Sequence, residues 1–203
     1  MKSALALSAV ALLLCSCRTK PPVVRHFLRM PPECVGGLSS VDRAQWLKEN
    51  RKNLPDRRTL AATGHLELKE TVTGHGTAIR SLQMLHVPGT NRTAGGIAVI
   101  TVSGESAAAT PRVRLLEHRA ANYVEVTGSH PAARTAGISK WILNAAERTA
   151  TGCIEGDGLL SPKLEFHWNG QAWKQRPPQG GGWRVAVNAS PPPVTAPAHG
   201  SAE

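Results

Sequence analysis

The sequence predicts an α+β fold: an antiparallel sheet of about six or seven strands with one or two helices packed on one face. Three observations carry this. Apolar runs of strand length recur at 65–72, 97–102, 112–118, 122–126 and 164–174. The last of them contains Asn169-Gly170, a pair suited to a tight hairpin turn. Two other stretches, 41–52 and 138–149, depart from the two-residue period and carry helical marks.

The elements follow in chain order. Ser39-Ser40-Val41-Asp42 has the form of a capping box, and "VDRAQWLKENRK" continues it as a short helix with Val41, Ala44 and Leu47 on one face. Leu54-Pro55 ends it. "HLELKETV" (65–72) alternates, with Leu66, Leu68 and Val72 on one side. "IAVITV" (97–102) is apolar throughout, the pattern of a central strand covered on both faces. "RVRLLEH" and "NYVEV" are spaced to pair as a hairpin. Ile138, Trp141, Ile142, Ala145, Ala146 and Thr149 fit one helical stripe, with Gly152 placed as its C-terminal glycine. In "LEFHWNGQAWK" (164–174) a two-residue type I′ turn at Asn169-Gly170 would set Phe166 opposite Trp173. Trp168, Trp173 and Trp183 could form a stacking platform, but a domain with so few aromatics needs them for its core.

The flanks have a different character. Lys2 precedes an apolar run from Ala4 to Leu14, which suits a secretory signal and is too short to span a bilayer. The run ends in Leu14-Cys15-Ser16-Cys17, which resembles the lipobox of bacterial lipoproteins. The resemblance implies that residues 1–16 are a signal peptide removed just before Cys17. It further implies that the Cys17 thiol carries a diacylglycerol, with a further fatty acyl chain such as palmitate possible on the new amino terminus. Arg18, where an aspartate would mark inner-membrane retention, favours an outer-membrane anchor facing the periplasm. The alternative is a plain signal peptide with incidental cysteines. Residues 17–33 then read as a lipidated cysteine and a Pro-rich basic tether, 34–188 as a single α+β domain, and 189–203 as a disordered Pro/Ala-rich tail.

Export leaves Cys34 and Cys153, which in an oxidising compartment are expected to form one disulfide closing a loop of over a hundred residues, a gain of roughly 4–5 kcal/mol by chain entropy. The alternative is two buried thiols. Because Lys2 is the one charge in the signal, the mature chain carries 23 Lys and Arg against 14 Asp and Glu, net +9. Such a balance favours anionic partners: lipid head groups, acidic polysaccharide or acidic protein. Nucleic acid is not expected for an exported lipoprotein. The densest basic window holds Arg51, Lys52, Arg57 and Arg58, the residues expected to meet an anionic partner. A solvated helix and turn account for that window equally well.

No motif carries catalysis. Gly104-Glu105-Ser106-Ala107-Ala108 lacks the last glycine of a nucleophile elbow, and Gly89 to Gly96 holds no lysine to reach a phosphate. Histidines at 65, 75, 86, 118, 130 and 167 are scattered, and "CIEGDG" has too few oxygen ligands for a calcium loop. No metal or cofactor is expected. These readings converge on a lipid-anchored envelope protein that acts as a binding or structural module, for anionic envelope material or for an envelope protein. The alternative is a small exported hydrolase with an unrecognised site.

Overall fold

Among the described residues three short α-helices come first and ten strands follow. The computed structural model describes residues 20–74, 77–90, 94–103, 111–119, 122–127, 137–157, 159–178 and 183–184. The expected signal peptide (1–16), Cys17, residues 104–108, His75, His130, the glycines at 180–182 and residues 189–203, expected to be a disordered tail, lie outside the described residues.

Helix α1 spans Pro22–Arg29, α2 Ser40–Glu49 and α3 Arg57–Thr63, with 3-10 turns at Pro32–Val35 and Asn50–Lys52. Strands β1 (His65–Gly74), β2 (Thr77–Pro88), β3 (Ala94–Ser103), β4 (Arg112–Arg119) and β5 (Asn122–Glu125) form an antiparallel meander in sequence order. A second antiparallel sheet holds β6 (Lys140–Asn144), β7 (Thr149–Gly156) and β8 (Leu159–Trp168). Beyond β8, β9 (Trp173–Arg176) pairs with its C-terminal half and β10 (Trp183–Arg184) with its first two residues. The α+β class holds, but two sheets replace the single one expected, and three helices replace one or two.

The layers run helices, first sheet, second sheet. On the helical side Val23, Phe27, Leu38, Trp46 and Leu60 pack on Leu66, Leu68, Met84, Ile97 and Val99. On the other side Leu85, Val87, Ala98 and Ile100 meet Trp141, Phe166, Trp168 and Trp173. β3 therefore lies between two cores, which is why "IAVITV" has no polar face. The tryptophans at 168 and 173 are core, 1% and 2% exposed.

Several sequence expectations need correction. The Pro-rich stretch 17–33 is not a tether over its described part. Pro22 opens α1 in the first turn, where its missing N–H costs nothing, and Pro31 and Pro32 fall beyond its end. The prolines bracket a helix whose Val23, Val24 and Phe27 are buried, so the core takes in residues before 34. The stripe at 138–149 is not a helix but the hairpin β6–β7. Asn144 Oδ1 accepts from Glu147 N at 3.2 Å, and Arg148 takes a left-handed φ of 57°. That turn chemistry, followed by Thr149 and Thr151, outweighs a helical spacing that a half-buried hairpin also satisfies. Gly152 is a strand residue, where a Cβ would press on Ile138 and Trp141 at 3.0 and 3.1 Å.

Cys34 and Cys153 do not form the expected disulfide: both are buried free thiols. Cys34 belongs to the helix-side core and Cys153 to β7 of the second sheet, so the first sheet stands between them. The 164–174 hairpin forms, but Trp168 rather than Phe166 faces Trp173. Its loop is wider than two residues. Asn169 N donates to Ala172 O, and Asn169 Oδ1 accepts from Gln171 N and Ala172 N. In α2 the capping box between Ser39 and Asp42 is present, yet the buried face carries Arg43 and Trp46 while Val41 is 74% exposed.

Candidate functional site

Arg51 and Lys52 lie on the second 3-10 turn, and Arg57 and Arg58 open α3; all four are exposed. The fold adds Lys20, Arg25, Arg29 and Lys48, also exposed, from the same helical segment. Residues 20–63 thus carry eight exposed basic side chains against four acidic ones: Glu33, Asp42, Glu49 and Asp56. Two of those acids are engaged in helix caps. Asp42 Oδ2 accepts from Ser39 N at 3.1 Å. Asp56 accepts from Thr59 Oγ1, Thr59 N and Arg58 N, and these hydrogen bonds hold its carboxyl below the usual carboxylate range. A third, Glu49, accepts from Gln45 at 2.7 Å. The helical layer therefore presents a positive surface.

Two further constellations bring together residues that the sequence scatters. Against the first sheet, His26 of α1 stacks on His86 of β2 at 4.4 Å between ring centroids and meets His118 of β4 edge-on at 4.5 Å. Its Nδ1 shares a 3.0 Å hydrogen bond with the Tyr123 hydroxyl of β5. Burial, the neighbouring imidazoles and the guanidiniums of Arg25 and Arg29 lower the pKa of His26 to about 3. Burial, with His118 and Arg25, lowers that of His86 to about 4. Both rings are therefore neutral at pH 7. Gly95 makes room for this cluster, since a Cβ there would lie 3.2 Å from His86 Nε2. His86 also lines a cleft of about 310 Å³ with Pro22, Ala61, Gly64, Ala145 and Arg148. The alternation Leu82, Met84, His86 and the pair Leu116, His118 carry the signal for this face. His26 gives none while α1 reads as a tether.

The second is a cleft of about 390 Å³ between the Asn50–Lys52 turn and β1, lined by Asn50, Asn53, Pro55, His65, Glu67 and Lys69. Its back wall is a closed network. Buried Asn50 donates to Trp46 O and accepts from Lys69 N, both at 3.2 Å, while the Trp46 indole donates to Lys69 O. Glu67 Oε1 accepts from Gln83 Nε2 at 3.3 Å and lies 3.5 Å from Lys69 Nζ. His65 Nε2 is buried without a partner among the described residues, and burial lowers its pKa. The period-two pattern of "HLELK" places His65, Glu67 and Lys69 on one face. Their partner turn is not legible in it.

Among the described residues no group of three or more His, Cys, Asp or Glu could hold a metal ion, and no helix is long and apolar enough to cross a membrane. No protein-family model matches the chain, and no curated protein or solved structure is significantly similar to it.

Proposed function

We propose that this chain is a bacterial envelope lipoprotein, anchored through Cys17, whose helical layer binds anionic envelope material or an acidic envelope protein. The observation that carries the reading is the collection of eight exposed Lys and Arg residues in residues 20–63. Lys20 follows the lipobox cysteine by three positions, so the positive layer begins at the anchored end of the chain. Close to an anionic surface each such charge contributes about 1 kcal/mol, and the effect fades over about 10 Å at 0.1 M salt. A lipid anchor and a basic face act on the same membrane-proximal space, the first holding the protein there and the second choosing what it meets. Arg18 after Cys17 supports the outer membrane as the site of anchoring.

The test is affinity capture from envelope extracts with the full-length protein, wild type against Arg51→Gln/Lys52→Gln/Arg57→Gln/Arg58→Gln. Capture should fall steeply from low to high salt and should be weakened in the four-fold variant at low salt, with thermal stability little changed. Identical partner profiles at low salt would reduce this window to a solvated surface. Mass spectrometry of the mature N-terminus tests the anchor separately: an unmodified terminus at any other residue removes it.

A further inference from the structure

We propose that α1 is a proton-released strap: acid frees it from the first sheet while the strands beneath it stay paired. The geometry that carries this is the cluster of four rings under the helix. His26 of α1 stacks on His86 of β2 at 4.4 Å, meets His118 of β4 at 4.5 Å and bonds the Tyr123 hydroxyl of β5 at 3.0 Å.

The cluster suits neutral rings. Protons on both His26 and His86 would set two cations 4.4 Å apart, beside the guanidinium of Arg25, which acts on both, and that of Arg29. The elements around α1 bring no free carboxylate to that spot. From α2 come Arg43, a further cation, and Asp42, engaged in its own cap; α3 brings Arg57 and Arg58. His65, Glu67 and Lys69 of β1 alternate with the core residues Leu66 and Leu68, and Glu117 of β4 with Leu116 and His118, so they point to the other face of the sheet. Glu125 of β5 is held by Arg114 at 2.7 Å, and Glu33 is exposed beside Cys34. Burial first, then the neighbouring imidazoles and arginines, therefore hold His26 to about 3 and His86 to about 4. Freed of that contact both rings titrate near 6.5. The released form then binds more protons between these values, and it gains on the docked form as pH falls.

The fold decides which partner yields. β2, β4 and β5 are fastened by ladder hydrogen bonds, whereas among the described residues no backbone hydrogen bond joins α1 to the sheet. The helix is held by the burial of Val23, Val24 and Phe27, by the His26–Tyr123 bond and by Arg43 at its last turn. A unit fastened by side chains alone opens before the strands do. The strap does not depend on lipid at Cys17 or on the basic face. Where Cys17 is anchored, its release would lengthen the link to the membrane, since a residue spans about 3.3 Å extended against about 1.5 Å in a helix.

The experiment follows hydrogen–deuterium exchange of the full-length protein at pH 7 and pH 4, read as protection factors so that the intrinsic pH dependence of exchange cancels. Protection of α1 should fall about tenfold or more at pH 4 while β3 keeps its own. His26→Phe/His86→Phe should keep α1 protected at both pH values. Arg25→Glu changes an exposed side chain that acts on both imidazoles; the carboxylate it brings should restore most of the protection at pH 4, even if the double variant fails to fold. Three results overturn the strap: equal protection of α1 at the two pH values, loss of protection in α1 and β3 together, or release in Arg25→Glu as complete as in wild type. The four-fold Arg/Lys→Gln variant should release α1 as wild type does. Failure of the envelope capture therefore leaves the strap standing, and an α1 that ignores pH leaves the capture reading intact.

Discussion

Arg43 holds the end of α1 to the start of α2. Its guanidinium, in a residue 3% exposed, donates to Phe27 O and Met30 O at 2.6 and 2.7 Å, and its Nε to Ser39 O at 3.1 Å. Phe27 O lies in the last turn of α1, where residue 31 is a proline and has no N–H to give. The positive charge also sits at the negative end of that helix. Replacing Arg43 by Met keeps much of the volume and orphans two buried carbonyls, so denaturant unfolding should show a loss of about 2–4 kcal/mol. A loss within about 0.5 kcal/mol would mean that water replaces the guanidinium. Gly96 is a second residue fixed by space. A Cβ there would fall 2.5 Å from Trp168 Cδ2 and Cε3, in the middle of the inter-sheet core. Neither residue announces itself in the sequence, where Arg43 sits among other helical charges and Gly96 beside a second glycine.

The same limit governs whole elements, with a different cause in each case. α2 was legible because its start is local chemistry: a serine and an aspartate three residues apart close the cap by themselves. The strands at 65–72, 97–102, 112–118 and 122–126 were legible because alternation or continuous apolarity tracks burial. α1 was hidden by prolines that bound it, and β6–β7 by an apolar spacing shared with helices. The α1 docking surface in turn predicts a pH response. In the folded state His26 and His86 take up protons only near pH 3 and 4, whereas the unfolded chain takes them up near 6.5. Between those values the unfolded state binds more protons, so stability is complete above about pH 6.5 and falls as pH drops towards 4. His118, Tyr123, Arg25 and Arg29 face the same pair and none supplies a carboxylate to oppose this. The melting temperature of wild type should fall over this range more steeply than that of His26→Phe/His86→Phe. Parallel curves would show that the carboxylates alone set the acid response.

At the scale of the molecule, the number of sheets was not legible because no local pattern says which strands share hydrogen bonds. β1 to β5 pair in order and β6 begins a new sheet, whose Trp141 and Phe166 pack against Leu85, Val87 and Ile100 of the first. The cleft beside β1 was illegible for the same reason, since its walls come from a turn near residue 50 and a strand near 67. The three-layer order also decides the fate of the cysteines. Cys34 lies in the helix-side core, where burial, with Glu33 adding to it, pushes its thiol up to about 11, and Cys153 is fully buried in β7 beyond the first sheet. Neither thiol reacts readily as a thiolate at neutral pH, and neither can reach the other without parting the layers. Because β3 packs into both cores, loosening one face removes support from the other, and the two should be exposed in one cooperative transition. Alkylation with no reductant present should therefore leave Cys34 and Cys153 unmodified in the native protein and modify both in denaturant, at the same denaturant midpoint, as read by peptide mass. Resistance to alkylation in denaturant until reductant is added would establish the disulfide after all and refute this layering. Two separate midpoints would instead show that the helical layer and the second sheet unfold independently.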